Sequence, residues 1–442
     1  MKALRRLFIL AIIVCLGISA YMGYYWEPQN REDGDQTPTP TLLIQNGTPS
    51  PEPTPTTTPA LTPEPTPTVT PVPVITADLV VAGDIVMHMG LYNQSYNSTT
   101  SKYDFSYILE DVAPLLSDAD YAMACLETTF DGTGNYSGYP DFISPDELAY
   151  NLRDAGIDFL STASNHAVDS GYNGLARTIE VLDRVGISHS GTFTSQAYYD
   201  DPVTVVDVGG ISVAVVAMTY NTNWGKVSES YAVNYFTVDW AREGMIPDYS
   251  RIDYCIAKAQ EKNADLIAFY MHWGDEYDIA GNNRQKQVAD YLFDHGVTLV
   301  LGGHAHVPQP MEYRQVTYPD GTTGTGFLCY CLGNFLSTMD YEYTYDTVLL
   351  NIKMSKEAGS RAVIEEVSYT PLYMYDAYDN GNWSDKYPRY QLIDTYKLLD
   401  AYESGDLTDY PYANQTLRTK LDKSLGEIRM IMGPELDIRY GG

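Results

Sequence analysis

The chain has 442 residues, and its 58 Asp and Glu side chains outnumber its 27 Lys and Arg side chains, which gives a formal net charge of -31 at pH 7. Nucleic-acid binding depends on Lys and Arg side chains that meet phosphates, so this balance predicts no nucleic-acid partner. The same charge favours a soluble, self-repelling surface. The length exceeds that of one typical domain, so we expect segments outside the folded core.

The N-terminal residues have the pattern of a membrane anchor. An apolar run occupies 7–26, about as many residues as a bilayer requires, and three basic residues precede it within 1–6. Positive charge before such a run predicts a cytoplasmic tail at 1–6, a single-pass transmembrane signal-anchor at 7–26 in the cell membrane, and an extracytoplasmic remainder. The alternative is a cleaved signal peptide, in which case the protein is secreted.

Residues 27–73 form a Pro/Thr-rich segment in which Thr-Pro-Thr-Pro and Pro-Glu-Pro-Thr-Pro units recur. A segment of this composition buries too little apolar surface to fold, so it predicts a disordered, extended linker. We expect the linker to space the folded region from the membrane. Binding to a cell wall or another polymer is the alternative.

From residue 74 onward, short apolar strands alternate with helical segments, and the first three strands end in polar side chains. These strands are predicted at 74–84, 121–127 and 157–163. A polar residue at the carboxyl end of a buried strand is well placed to bind a ligand in an α/β sheet. The candidates at and after these three ends are Asp84, His88, Glu127, Asn165, His166 and Asp169.

Two further buried strands, at 264–271 and 297–301, also lead into polar residues. The second of them runs through two glycines into a turn that carries a pair of histidines, and a pair spaced in this way converges on one point. The candidates that follow these strands and the hairpin after them are His272, Glu276, His304, His306 and Asn334. A metal ion is the natural occupant of a site that collects such side chains.

Hairpins at 202–220, 312–332 and 347–370 are predicted between these elements, the first by its central Gly-Gly pair. They add antiparallel strands to an otherwise alternating pattern, so we predict an α/β fold with mixed sheets, two of them packed together and flanked by helices. The Tyr-rich C-terminal residues carry no cluster of candidate ligands, and helices are predicted there at 390–402 and 416–432.

Six of the candidates lie at or just past the ends of apolar strands, and their side chains are of the types that divalent metals prefer. Carboxylate, amide and imidazole groups suit Mn, Fe or Zn rather than a cysteine-bound structural zinc. Six groups exceed what one ion requires, so the set predicts two divalent metal ions that activate water for attack on a phosphoester or similar centre. The six are Asp84, Glu127, Asn165, His272, His304 and His306.

Several short motifs occur together in a fixed order: Ala-Gly-Asp84-Ile-Val-Met-His88, Cys-Leu-Glu127, Ser-Asn165-His166-Ala-Val-Asp169, His272-Trp-Gly-Asp-Glu276, Gly-Gly-His304-Ala-His306-Val-Pro and Leu-Gly-Asn334-Phe. This set resembles the CapA family of capsule or poly-γ-glutamate synthesis proteins, which has a calcineurin-like metallophosphatase fold. The resemblance covers about 74–371. It implies a four-layer sandwich there, in which two mixed β-sheets are flanked by helices, and it leaves 372–442 as a helical C-terminal extension.

The resemblance implies how the predicted ligands are shared between two ions. Glu127 bridges both ions. The ligands of one ion are Asp84, His306 and His88, and those of the other are Asn165, His272 and His304. Enzymes of this fold usually carry a histidine two residues after the first aspartate, and Val86 occupies that position here.

The resemblance also implies roles around the ions. His166 contacts the substrate or protonates the leaving group, and Asp169 orients it. Glu276 and Asn334 are expected to lie beside the substrate.

The function implied is that of a membrane-anchored, extracytoplasmic hydrolase or transferase in the biosynthesis or export of a capsule or poly-γ-glutamate. The expected partners are the membrane and an anionic polymer or its synthase complex. Two alternatives remain open, a non-catalytic scaffold that binds the polymer or the synthase, and a general phosphodiesterase or nucleotidase. Poly-γ-glutamate is linked by amides, whereas the fold implied usually acts on phosphoesters, so the substrate itself is not predicted.

Overall fold

The computed structural model of the chain describes residues 73–440 apart from 224, 226, 239–245 and 383–386. The predicted cytoplasmic tail at 1–6, the signal-anchor at 7–26 and all but the last residue of the linker at 27–73 lie outside these residues. Within the described ranges, no helix has both the length and the apolarity that crossing a bilayer requires.

Strands and helices alternate along much of the described part of the chain. The strands found there are β1 (Val74–Ile85), β2 (Tyr96–Asn97), β3 (Lys102–Tyr103), β4 (Tyr121–Leu126), β5 (Phe159–Ser161), β6 (Ser188–Ser190), β7 (Thr204–Val208), β8 (Ile211–Thr219), β9 (Leu266–His272), β10 (Leu299–Gly303), β11 (Met311–Thr317), β12 (Thr323–Cys329), β13 (Asn334–Leu336), β14 (Asp346–Glu357), β15 (Val363–Asp376) and β16 (Tyr390–Asp394). The helices are α1 (Met89–Ser95), α2 (Ser106–Leu109), α3 (Ala113–Ser117), α4 (Glu147–Asp154), α5 (Gly171–Val185), α6 (Gln196–Asp200), α7 (Tyr249–Glu261), α8 (Asn283–Asp294), α9 (Thr395–Ser404) and α10 (Gln415–Met432), with a 3-10 turn at Pro434–Leu436.

Both large sheets are mixed. The larger has the order β16-β15-β14-β1-β4-β5-β6, and β13 also pairs with β1. Strands β1, β4, β5 and β6 run parallel, whereas β14, β15 and β16 are antiparallel to their neighbours. The smaller sheet has the order β11-β12-β10-β9-β8-β7, with a parallel centre and an antiparallel hairpin at each edge.

The two sheets pack face to face and share an apolar core. Val81 and Met123 of the larger sheet lie in the same cluster as Val215 and Leu301 of the smaller one. The outer face of the larger sheet packs against α1–α5, and the outer face of the smaller packs against α7 and α8. Burial of this kind is the dominant favourable term in folding. The prediction of two mixed sheets flanked by helices is therefore confirmed.

The C-terminal residues extend the larger sheet. Strand β15 continues across the predicted boundary at 371, and β16 pairs with it. Residues 390–394 were predicted as the start of a helix and instead form β16, because Tyr390 and Leu392 alternate into the core while β15 offers an open edge. Asp111 fixes this region, since it accepts hydrogen bonds from the Tyr410 hydroxyl at 2.8 Å and from the Asp394 backbone at 2.9 Å.

Candidate metal centre

The larger sheet contributes polar side chains from the carboxyl ends of its parallel strands. Asp84 lies near the end of β1, where it pairs in register with Cys125 of β4 and Asn334 of β13. Glu127 directly follows β4, and Asn165 follows β5 after a short turn. All five side chains are buried. The topology therefore gathers residues from distant parts of the chain at one edge, as expected for parallel strands.

The smaller sheet brings three histidines to the same edge. His272 is the last residue of β9 and pairs with Gly303, the last residue of β10. His304 and His306 follow in a turn where their φ angles are +92° and +60°. A left-handed backbone at a residue other than glycine costs on the order of 1–3 kcal/mol and is typical of functional sites. The His304 ring centroid lies 4.8 Å from that of His272 and 5.9 Å from that of His306.

Asp84 is fully buried, and only one of its oxygens is engaged. Its Oδ2 accepts a hydrogen bond of 2.7 Å from the His304 backbone N–H. Its Oδ1 has no hydrogen-bond partner among the residues that the structure describes. Gly303 provides the space for it, because a Cβ there would lie 2.3 Å from Oδ1. Burial and the charge of Glu127 raise the pKa of Asp84.

Both carboxylate oxygens of Glu127 are buried, and within the described ranges neither has a hydrogen-bond partner. His272 Nε2 lies 3.5 Å from Oε1 and His166 Nε2 lies 4.0 Å from it. Burial by itself would raise the pKa of Glu127, but the imidazoles of His272 and His306 outweigh it and hold the pKa below its usual range. A buried carboxylate costs several kcal/mol unless a positive charge compensates it, and a bound cation meets that requirement.

The amide of Asn165 and the imidazole of His272 face each other beside Glu127. Asn165 Oδ1 lies 2.6 Å from His272 Nε2, and the other ring nitrogen of His272 lies 3.7 Å from the Cys125 thiol. The sequence did not single out Cys125 as a metal ligand, because a cysteine inside an apolar strand has the pattern of a core residue.

The donor set fits divalent metal ions. The described part of the chain contains two groups of three side chains whose ligand atoms, within each group, lie within 4.8 Å of one another. One group is Asp84, Cys125 and His272, and the other is Glu127, His304 and His306. Nδ1 of His304 has no hydrogen-bond partner in these ranges, and burial beside the other two imidazoles lowers its pKa. A neutral imidazole is the form that binds a metal. Asp84 and His272 fall in the same group, whereas the resemblance assigns them to different ions, and the assignment of ligands to individual ions stays a prediction.

His166 lies at the border of this centre with a carboxylate behind it. Its Nδ1 is 2.6 Å from Asp169 Oδ2, which also accepts a 2.7 Å hydrogen bond from the Phe142 backbone. On the other side, Asn223 Nδ2 lies 3.1 Å from Nε2 and donates to it when the ring is neutral. Burial would lower the pKa of His166, but the contact with Asp169 and the charge of Glu127 raise it.

The other predicted residues take different places. Asn334 lies behind the centre, where its Oδ1 contacts His306 Nδ1 at 2.9 Å and its amide donates to the His306 carbonyl at 3.1 Å. His88 belongs to neither ligand group, and its Nδ1 accepts a hydrogen bond of 3.3 Å from the Thr338 backbone N–H. Val86, which occupies the position of the histidine that is usual in this fold, is buried. Burial lowers the pKa of His88 to about 4. Glu276 is exposed.

A cavity of about 740 Å³ opens beside the centre. His88, His166 and His306 line it with Asn223 and Glu276, so the cavity reaches side chains of the centre from solvent. The rest of its lining comes from loops and comprises Tyr139, Pro140, Phe142, Tyr277, Thr338, Met339, Asp340 and Tyr341. Of these loop residues only Tyr277 belongs to a sequence motif, the one that runs from His272 through Glu276, and only the folded topology brings the others together with it.

Comparison with known proteins gives one family match over more than half of the chain. The family model described as bacterial capsule synthesis protein PGA_cap matches residues 78–339. The chain is 26% identical over 307 residues to the PGA biosynthesis protein CapA of Bacillus subtilis (strain 168), which covers 69% of this chain and 73% of that protein. It is also 26% identical over 281 residues to the capsule biosynthesis protein CapA of Bacillus anthracis, over 62% of each chain.

Among solved structures, the chain is similar to the calcineurin-like phosphoesterase YfkN from Bacillus subtilis. The TM-score is 0.38 at 12% sequence identity, over 68% of this chain and 91% of that chain.

Proposed function

The chain belongs to the bacterial capsule synthesis protein family PGA_cap, and we propose that it acts in the biosynthesis or export of a capsule or poly-γ-glutamate as a metal-dependent hydrolase or transferase. We further propose that residues 7–26 hold it at the cell membrane with the folded region outside the cytoplasm. The observation that carries the catalytic proposal is the buried carboxylate of Glu127, whose two oxygens have no hydrogen-bond partner in the described ranges. The imidazoles of His272 and His166 lie beside it, and His166 lines an open cavity.

The residues that would hold two divalent ions are Asp84, Glu127, Asn165, His272, His304 and His306. The Cys125 thiol belongs to the same ligand group as Asp84 and His272. Ions of Mn, Fe or Zn bound there supply Lewis acidity to a substrate oxygen and lower the pKa of water. Two of these ligands favour the form that binds a metal, since the pKa of the Glu127 carboxyl and that of the His304 imidazole are both lowered.

His166 is placed to move a proton. Its Nδ1 is held by Asp169, so Nε2 is the nitrogen that faces the centre and the cavity. Asp169 and the charge of Glu127 raise the pKa of His166 against the effect of burial, and this favours the protonated ring. In that form Nε2 can donate a proton to the oxygen of a leaving group. The Phe142 ring packs against the imidazole, with the two ring centroids 4.6 Å apart and an angle of 76° between the planes.

The test is to measure metal content, hydrolysis and polymer production with the same variants. The purified full chain should bind at least one divalent ion and hydrolyse a chromogenic phosphodiester such as bis(p-nitrophenyl) phosphate. Glu127→Gln and His304→Ala should lose both properties and should fail to restore polymer production in a deletion strain. If these variants restored polymer production as well as the wild type does, the protein would be a scaffold, and the catalytic proposal would be rejected.

A further inference from the structure

The cavity beside the metal centre changes in character from its floor to its rim. Its floor includes His166 and His306, whose exposed fractions are 5% and 3%. Its rim carries three exposed tyrosines, Tyr139 at 79%, Tyr277 at 39% and Tyr341 at 59%. A substrate whose reacting group lies on the floor therefore places its next group among aromatic rings.

The three rings come from different loops, and two of them are in contact. The ring centroids of Tyr277 and Tyr341 are 4.8 Å apart, with an angle of 51° between the planes. Tyr277 is held by a 2.9 Å backbone hydrogen bond to Ala305 and has a φ of +66°, which a tyrosine rarely adopts. The fold therefore maintains a strained backbone that presents this ring 6.2 Å from that of His306.

The charged side chains on the rim are acidic. Glu276 and Asp340 both line the cavity and are both exposed, and no Lys or Arg belongs to its lining among the residues that the structure describes.

Aromatic faces together with carboxylates are the chemistry that binds an organic cation. A ring face attracts an ammonium group within about 6 Å, and the attraction grows when the group is desolvated. A polyanion would instead meet Glu276 and Asp340 without any Lys or Arg in the described lining. Among the residues that the structure describes, the buried carboxylate oxygens of Glu127 have no hydrogen-bond partner, and this independently marks the adjoining floor as a ligand site.

From these observations we propose that the rim formed by Tyr139, Tyr277, Tyr341, Glu276 and Asp340 binds an ammonium group of the substrate, while the reacting group lies at the metal centre. This inference rests on the proposed function, since it assigns the substrate class of the same site. It predicts a substrate that is cationic or zwitterionic next to its reacting group rather than uniformly anionic.

The test compares p-nitrophenyl phosphodiesters that differ only in one terminal group. Each ester ends in a trimethylammonium, a tert-butyl or a carboxylate group, and each of the three is made with a spacer of two carbons and with a spacer of six carbons. With the manganese-loaded full chain, kcat/KM for the better-fitting ammonium ester should exceed that of its tert-butyl isostere about 10-fold, and the carboxylate ester should be the poorest. Glu276→Gln and Tyr341→Ala should bring the ratio close to 1. Tyr198→Ala removes a tyrosine that is 64% exposed outside this cavity and should keep the ratio.

The outcomes separate this inference from the proposed function. Turnover of all esters at equal kcat/KM would support hydrolysis and overturn the ammonium site. If no ester is turned over, calorimetric titration with phosphorylcholine and with 3,3-dimethylbutyl phosphate decides the question. Tighter binding of phosphorylcholine, lost in Tyr341→Ala, would sustain the ammonium site without the catalytic proposal. Equal binding, or no binding of either compound, would overturn the ammonium site.

Discussion

Gly303→Ala tests the centre without removing any predicted ligand. The added Cβ would lie 2.3 Å from Asp84 Oδ1, whereas ordinary contacts begin at 3.4 Å, so the carboxylate must retreat by about 1 Å. It has little freedom to do so, because Asp84 is fully buried and its Oδ2 is fixed by the His304 backbone. Overpacking of this kind costs about 1–3 kcal/mol of the free energy of unfolding.

The effect on metal binding should exceed the effect on folding. A ligand that is displaced by about 1 Å loses much of its coordination, and we expect the dissociation constant for Mn²⁺ to rise about 10- to 100-fold. Isothermal titration of the metal-stripped full chain measures this constant, and urea unfolding of the same sample measures the stability. Both measurements are needed, because a partly unfolded variant would also bind less metal.

Gly426→Ala is the matched control. Gly426 lies on α10, and a Cβ there would meet no atom within 4 Å. Alanine in a helix is favoured over glycine by about 0.5–1 kcal/mol, so this variant should be slightly more stable and should bind the metal unchanged. If Gly303→Ala folded and bound Mn²⁺ as tightly as the wild type, Asp84 would not be a ligand held in place by this glycine, and the reasoning would be refuted.

Two further predictions concern buried carboxylates. Asp169→Asn should lower kcat about 10- to 100-fold and leave the metal content unchanged, since Asp169 positions His166 without belonging to either ligand group; loss of the metal in this variant would contradict that separation. Burial raises the pKa of Asp346 to about 7 from an ordinary value near 3.8, so the folded state holds a proton that the unfolded state releases, and stability should fall as the pH rises from about 4 to 7. Asp346→Asn should therefore unfold in urea like the wild type at pH 4 and be more stable at pH 8, by up to about 4 kcal/mol, and an equal effect at both pH values would argue against this assignment.

The sequence was informative about the strands that enter the centre. Apolar runs that end in Asp84, Glu127 or His272 have a period and a boundary that can be read locally, and parallel strands must present their carboxyl ends at one edge. The order of the strands was not readable in the same way. Nothing local in Asn334, for example, indicates that it pairs with Asp84 across 250 residues.

The C-terminal residues illustrate a second limit. Residues 390–394 were predicted as helical because they precede a helical pattern, yet they form the edge strand β16. The deciding interaction is tertiary, since β15 offers an unpaired edge and Tyr390 fills a place in the core. Propensity over five residues is too weak to compete with such burial.

The rim of the cavity is the part that the sequence predicted least. Tyr139, Tyr277 and Tyr341 lie on loops with no shared motif, and a chain with 39 tyrosines gives no reason to single out three. Glu276 was predicted beside the substrate only through the resemblance. Residues of this kind become recognisable when a folded scaffold brings several loops to one opening.

The charge of the centre links metal binding to folding. Asp84 and Glu127 are buried together, and the pKa of one is raised while that of the other is lowered, which is what two carboxylates in one site produce when their surroundings differ. A cation that binds only the folded state adds its binding free energy to the stability of the fold. In a chain with a net charge of -31, such an ion would also be the main local source of positive potential, so a substrate would be drawn to the floor of the cavity by the metal and distinguished at the acidic, aromatic rim.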